Sequence, residues 1–298
     1  MIETRLLYYF LAIAREQSIT KAAETLHVTQ PTLSKQMMEL EAQLGKQLLI
    51  RGKKKITLTE EGAFLRAQAQ EMINLMEKTE SAFKADEEII GGDIYIGCGE
   101  TPAMEFITEL FKEIQTDYPG IHFHIYSGDA DAVLERLDKG LLDAGLLLGP
   151  MQQEKYDYIN IFKSDIYGLL MPRDCSLAEK QTVSVADLYN IPLIFSAQTY
   201  AGHQRLEWFG VDYDSLNIIA TYNLIYNATF MVEQGMGYAF CLGNLVSTDG
   251  NRNLAFRPLS PDLKIDLFIV TKKYQTFSPA AKIFLSYLRE KLQKPAIT

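Results

Sequence analysis

The sequence predicts an α/β protein whose N-terminal part is a winged helix-turn-helix, continued by a long linker helix and then by a C-terminal α/β domain. Three observations predict it. Residues 4–58 read as three helices followed by two short strands around a basic turn. Residues 59–90 keep one helical apolar period almost to a glycine pair, Gly91-Gly92. Beyond them strands and helices alternate, as they do when crossover helices connect parallel strands. A chain of 298 residues suits about two domains, or three if the larger is divided. The boundaries are placed at 1–58, 59–90 and 91–298.

Leu6, Leu7, Phe10, Leu11 and Ala14 recur at helical spacing, which predicts a first amphipathic helix over 4–16. Ser18 suits an N-cap for a second helix over 19–26, in which the small pair Ala22-Ala23 lets another helix approach closely. After a short connection, Thr29 suits the cap of a third helix over 30–44. Pro31 costs little in its first turn, where its missing N–H has no partner anyway, and Gly45 supplies the stop. Two helices joined by a tight turn make a helix-turn-helix.

In the third helix Leu33, Met37, Leu40 and Leu44 share one face and must point inward. That leaves Gln30, Thr32, Ser34, Lys35 and, at its margin, Gln36, beside Pro31, outward near its start. A helix in the major groove presents its first residues to base edges, where Gln pairs with adenine and Ser, Thr and Lys reach bases or phosphates. A solvated polar face is the competing reading of this helix alone.

Residues 48–50 and 56–58 read as strands around Arg51-Gly52-Lys53-Lys54-Lys55, a basic hairpin beside the outward-facing helix. Arg51, Lys53, Lys54 and Lys55 suit contacts with a phosphate backbone. The chain as a whole carries a net charge of -9, which opposes a polyanion. Up to Arg66, however, ten Lys and Arg face seven acids, a net of +3, and the remainder carries -12. The N-terminal segment is therefore where nucleic acid docks.

These residues also carry a family resemblance. From Phe10 to Gly62, with SITKAAETLHVTQPTLSKQMMELEAQLGKQLLIR and then LTEEG, the chain resembles the N-terminal domain of LysR-type transcriptional regulators. Ser18, Ala22-Ala23, Leu26, Thr29-Gln30-Pro31, Leu33-Ser34, Leu40-Glu41, Leu44-Gly45, Leu48, Arg51, Leu58-Thr59 and Gly62 match. Leu49 stands where members usually carry Phe, and Lys35 where Arg is frequent.

Leu65, Ala69, Met72, Met76, Thr79 and Phe83 step by four and three, a seam of about three heptads. Either this seam packs on its own domain or, as the resemblance implies, it joins a second linker helix in an antiparallel dimer. Dimeric reading heads call for paired half-sites and a roughly palindromic operator.

Further along, residues 93–97, 121–126, 143–148, 166–171, 193–196, 217–221, 239–241 and 265–270 read as strands. Helices are predicted near 103–114, 130–139, 185–189, 224–234 and 279–292, and 204–209 forms a further element. The resemblance implies a two-lobed, periplasmic-binding-protein-like effector domain. Lobe I takes about 91–162 and 266–298, and lobe II about 163–265. In open α/β sheets ligands sit beyond the carboxyl ends of strands, near helix N-termini. Thr101, Ser127, Ser196, Gln198 and Asn223 fall at such ends; each suits either an effector contact or an ordinary cap. A carboxylate-bearing effector fits helix N-termini, although Glu100 opposes a large negative charge there.

Enzyme readings fare worse. Gly97-x-Gly99 starts a dinucleotide loop, but Pro102 stands where the third glycine belongs. His122 and His124 share one strand face without partners at metal-ligand spacing, so an ordinary strand pair is preferred. No GxSxG or Walker sequence occurs. Cys98, Cys175 and Cys241 lack CxxC spacing and read as reduced, mostly buried thiols, with a redox sensor as the alternative. The expectation is a regulator and not an enzyme, with no cofactor, no metal and no membrane association, in the cytoplasm. Its partners are double-stranded DNA, a small effector, further copies of itself as homodimer or homotetramer, and RNA polymerase.

Overall fold

The computed structural model describes residues 2–52, 55–84, 91–149, 154–198, 213–249 and 252–293. The chain divides into two units, Met1–Lys84 and Ala85–Thr298.

In the first unit, α1 (Thr4–Glu16), α2 (Ile19–Thr25) and α3 (Gln30–Leu44) enclose Phe10, Ile13, Ala22, Leu33, Met37 and Leu40. The caps are those the residues prescribe. Ser18 Oγ accepts from Lys21 N at 3.3 Å, Thr29 Oγ1 accepts from Thr32 N at 3.4 Å, and Gly45 ends α3 at φ 64°. The second helix stops one residue before its predicted end, because the chain turns through His27 at φ 54°.

β1 (Leu49–Arg51) pairs antiparallel with β2 (Ile56–Leu58), Leu49 opposite Leu58. The first strand lies one residue later than predicted. Glu41 explains the shift: its carboxylate accepts the N–H groups of Leu48 at 2.7 Å and Leu49 at 3.1 Å, so Leu48 serves the junction with α3.

α4 (Glu60–Lys84) follows. Thr59 caps it by accepting from Gly62 N at 2.9 Å while donating to Gln47 O at 2.7 Å. The predicted seam splits here. Ala69 and Ile73, with Leu65 beside them, pack on Leu7 of α1, whereas Met72, Leu75, Met76 and Phe64 are exposed. Apolar residues at both i+3 and i+4 offer two faces, and α1 covers the one that steps by four. Thr79 is exposed, and the Phe83 side chain lies outside the described residues.

The second unit is built on two sheet segments sharing long strands. β3 (Gly91–Cys98), α5 (Met104–Asp117), β4 (Gly120–Ser127), α6 (Ala130–Asp138) and β5 (Ala144–Leu148) give the parallel order β4-β3-β5. β6 (Tyr156–Pro172) then crosses to the second segment, where β7 (Val183–Ser184), α7 (Val185–Leu188), β8 (Leu193–Ser196), β9 (Ile218–Tyr222), α8 (Ile225–Glu233), β10 (Tyr238–Leu242) and β11 (Leu254–Ser260) lie. β12 (Lys264–Lys272) and α9 (Pro279–Gln293) return to the first. The sheet order is β4-β3-β5-β12-β6-β10-β8-β9, with β11 also on β6.

Each segment has its own core. Ile94, Ile96, Ile107, Leu110, Leu146, Leu267, Ile269, Phe284 and Leu288 fill the first, and Leu169, Met171, Leu188, Leu193, Phe195 and Phe240 belong to the second. The crossing strands serve both. Leu263 and Ile265 face the second core and Leu267 and Ile269 the first, with the register shifting between Asp266 and Phe268. β6 is longer than the predicted 166–171 because its first half interleaves polar residues, as a strand of mixed burial does. β11 escaped the sequence reading because Arg257-Pro258 interrupts its apolar run, although Pro258 sits opposite Gly168 in the sheet. The element expected over 204–209 lies outside the described residues.

Candidate functional site

The first candidate surface lies at the start of α3. Gln30, Pro31, Thr32 and Lys35 are exposed and Ser34 is half-buried. Leu33, Met37 and Leu40 fix the helix from behind, so the outward set is held on a rigid element. Thr29 and Thr32 share a hydroxyl hydrogen bond at 2.8 Å, and Arg51 Nη2 donates to Ser34 Oγ at 3.4 Å, joining the hairpin to the helix. The hairpin is tied down further by Ile56 N donating to Gln17 O at 2.9 Å. Gln36 is engaged by Arg5 at 3.4 Å and by Glu39 at 3.2 Å, which draws it away from the outward set. Lys55 is exposed; Lys53 and Lys54 lie outside the described residues. Exposed hydroxyl, amide and cationic groups over one helix start, flanked by Arg51 and Lys55, are the chemistry that meets base edges and phosphates. Lys55→Ala is expected to lower the salt dependence of duplex binding by about one unit of log–log slope with little change in sequence preference, measured by titration at several salt concentrations.

The second candidate is a cavity of ≈ 390 Å³ in the second unit, where the two sheet segments meet. Its walls come from the ends of β3, β5, β8, β9 and β10 and from the first turns of α6 and α8, the place where parallel sheets bind ligands. Of the residues expected there, Ser196, Gln198 and Asn223 line it. Thr101 does not. Its hydroxyl donates to Asp165 Oδ2 at 2.6 Å and accepts from Ala103 N at 3.1 Å, so it is a buried link at the start of α5. Burial pushes the Asp165 carboxyl above its ordinary range, and the Thr101 hydroxyl draws it back. Ser127 also falls outside the lining and hydrogen-bonds the Cys98 thiol.

The sequence reading missed the apolar wall. Tyr167 stacks on Phe240 at 5.1 Å between ring centroids, Phe240 on Phe195 at 4.9 Å, and Tyr222 donates its hydroxyl to Phe240 O at 2.7 Å. Burial holds the Tyr222 hydroxyl well above the ordinary tyrosine range. These aromatics come from four different strands, β6, β8, β9 and β10, so no local period announces them. Glu100 Oε2 accepts the N–H of Ile225, the first residue of α8, at 2.5 Å. A carboxylate-bearing ligand, as expected from the sequence, therefore meets a helix end that another carboxylate already occupies.

The remaining sequence candidates resolve simply. His124 Nε2 lies 2.9 Å and His122 Nδ1 4.0 Å from Asp93 Oδ1 on the exposed β3–β4 face. Among the described residues no group of three or more His, Cys, Asp or Glu could hold a metal, and no helix is long and apolar enough to cross a membrane. Burial pushes the Cys241 thiol up to about 12 and raises that of Cys98, which keeps both protonated at neutral pH. Iodoacetamide at neutral pH is expected to leave both unmodified in the native chain and to label both after unfolding, as read by mass spectrometry.

Comparison with known proteins agrees with this architecture. Residues 4–63 match the family model of the bacterial regulatory helix-turn-helix protein of the lysR family, and residues 89–293 that of the LysR substrate binding domain. The Hca operon transcriptional activator HcaR of Escherichia coli (strain K12) is 26% identical over 98% of this chain and 98% of its own. The HTH-type transcriptional regulator YvbU of Bacillus subtilis (strain 168) is 27% identical over 94% of this chain and 96% of its own. In fold, the chain is similar to full-length CbnR complexed with its target DNA, with a TM-score of 0.76 at 22% identity over 97% of this chain and 99% of that one. With both of its parts matched, the chain belongs to the LysR family of transcriptional regulators, carrying a DNA-binding helix-turn-helix and an effector-binding substrate domain.

Proposed function

We propose that the chain reads paired half-sites of duplex DNA as a homodimer or homotetramer, with Gln30, Thr32, Ser34 and Lys35 at base edges, Pro31 setting the first turn of α3 between them, and Arg51, Lys53, Lys54 and Lys55 on phosphates. A small molecule held in the cleft by Ser196, Gln198 and Asn223 changes its action on a promoter. The observation that carries the reading is the polar start of α3, exposed, backed by core residues and bonded to the basic hairpin through Ser34 and Arg51. Such a face beside a cationic turn matches major-groove readout. CbnR, of similar fold, is described in complex with its target DNA, which supports the same role here.

The exposed stripe Phe64, Met72, Leu75 and Met76 supports pairing of α4 with a second copy, since an apolar stripe on a helix is satisfied by another helix. The double substitution Met72→Glu, Met76→Glu is expected to shift the sedimentation of the chain to a smaller species and to weaken operator binding. Effector binding acts by unequal affinity for two arrangements of the lobes, which changes half-site spacing or DNA bend. Work on DNA and with RNA polymerase places the protein in the cytoplasm.

Selection of the full chain on a random duplex library tests the proposal. The expected product is a roughly palindromic site with half-sites separated by about one helical turn or a multiple of it. A pool that stays random after repeated rounds contradicts it.

A further inference from the structure

Among the described residues, α6 and α8 each open on the cleft with a carboxylate at the N-terminus. At α6, Asp129 Oδ1 accepts from Ala132 N at 3.0 Å. At α8, the preceding residue is Leu224, which offers no side-chain cap, and Glu100 Oε2 accepts from Ile225 N at 2.5 Å instead. That second bond is long-range: Glu100 follows β3 in the first sheet segment and Ile225 begins a helix of the second. A carboxylate at such an end satisfies an orphan N–H and the positive pole of the helix together. A ligand anion at either of these two ends meets a carboxylate already bonded there. The charged groups among the described lining residues are Glu100, Asp129 and Asp131, and the cavity opposes to them the apolar wall of Tyr167, Phe240 and Leu242.

We propose that Glu100 is the specificity determinant of the cleft, a tethered carboxylate that takes the place of a ligand carboxylate, so that the effector is a small organic cation with an apolar body. This rests on the cleft being the effector site. A carboxylate accepts several hydrogen bonds, so Glu100 holds Ile225 with one oxygen and keeps capacity for a ligand ammonium, with Asp131 on the α6 side. The apolar body then lies on the aromatic wall, where a ring stacks and an attached cation gains from ring faces. The same bond spans the two sheet segments, so a ligand that engages Glu100 also acts on their closure.

Two arms on the full chain test this. In the first, thermal stability is read against sodium acetate, with sodium chloride at matched ionic strength as control. Glu100→Ala vacates the α8 end, and acetate is expected to raise its melting temperature while leaving the wild-type chain unmoved. Equal response of the two chains, or none in Glu100→Ala, overturns the assignment. In the second, benzylamine and benzoate are compared by calorimetry on the wild-type chain and on Glu100→Gln, which keeps the bond to Ile225 and removes the charge. Benzylamine is expected to bind the wild-type chain in preference to benzoate and to lose about tenfold or more in Glu100→Gln. Benzoate binding the wild type at least as well as benzylamine overturns the assignment. Circular dichroism establishes that both variants are folded. The acetate arm reads the helix end alone, so benzoate that binds the wild-type chain at least as well as benzylamine and shifts its promoter binding sinks the Glu100 assignment and leaves the effector role standing. Charge-selective binding with no effect on DNA does the reverse.

Discussion

Replacing Gln30 and Lys35 together by alanine is expected to lower affinity for the selected operator at least about thirtyfold and to leave affinity for scrambled duplex nearly unchanged. Each side chain, paired with a base edge, discriminates by about 1–3 kcal/mol, and the two share no partner among the described residues. Both are exposed and neither contributes to the core of Phe10, Leu33 and Leu40, so the loss belongs to recognition and not to unfolding. Fluorescence anisotropy on specific and scrambled duplexes at one salt concentration separates the two outcomes. Equal losses on both duplexes would show that these groups only meet phosphate.

Gly62→Ala is expected to destabilise the first unit by about 2–4 kcal/mol. A Cβ built at this position lies 2.2 Å from Leu48 O and 3.3 Å from Leu58 Cβ, and the first of these is backbone. Relief requires Leu48 to move. Yet Leu48 N is held by Glu41, Leu48 O accepts from Thr59 N at 3.0 Å, and the Leu48 side chain is buried in the three-helix core. Hairpin, linker helix and α3 therefore converge on one glycine without a side chain. Hydrogen exchange is expected to accelerate at amides across residues 2–84 and to stay unchanged across residues 91–293. Wild-type exchange throughout the first unit would contradict the packing described.

The match LTEEG is thereby explained physically. Leu58, partly buried, packs against the core, Thr59 caps α4 and ties it to Gln47, and Gly62 makes room for Leu48 O. The helical unit was legible in the sequence because its determinants are local: a cap residue, a proline in the first turn and a glycine stop act within a few positions. The linker was half legible. Its apolar residues announce a helix, but α1 had to be placed in space before Ile73, and not Met72, was known to face it. In the second unit, strands with continuous apolar runs were legible, whereas β11 was hidden by Arg257-Pro258.

The cleft was the least legible part. Ser196, Gln198 and Asn223 were reachable by the rule that ligands gather at strand ends. The same rule also pointed to Thr101 and Ser127, which the cavity lining does not include and whose hydroxyls turn to Asp165 and Cys98. Glu100 read from sequence as a charge opposing an anionic ligand; only its bond to Ile225, 125 positions away, shows what that charge does.

The central claim is that the start of α3 lies in the major groove. Dimethyl sulfate interference on the selected operator tests it most directly, because methylation of guanine N7 blocks the major-groove edge and methylation of adenine N3 the minor-groove edge. The account predicts loss of binding from N7 methylation within each half-site, relieved nowhere else in the duplex. Binding that tolerates N7 methylation throughout, or responds only to adenine N3, would contradict it.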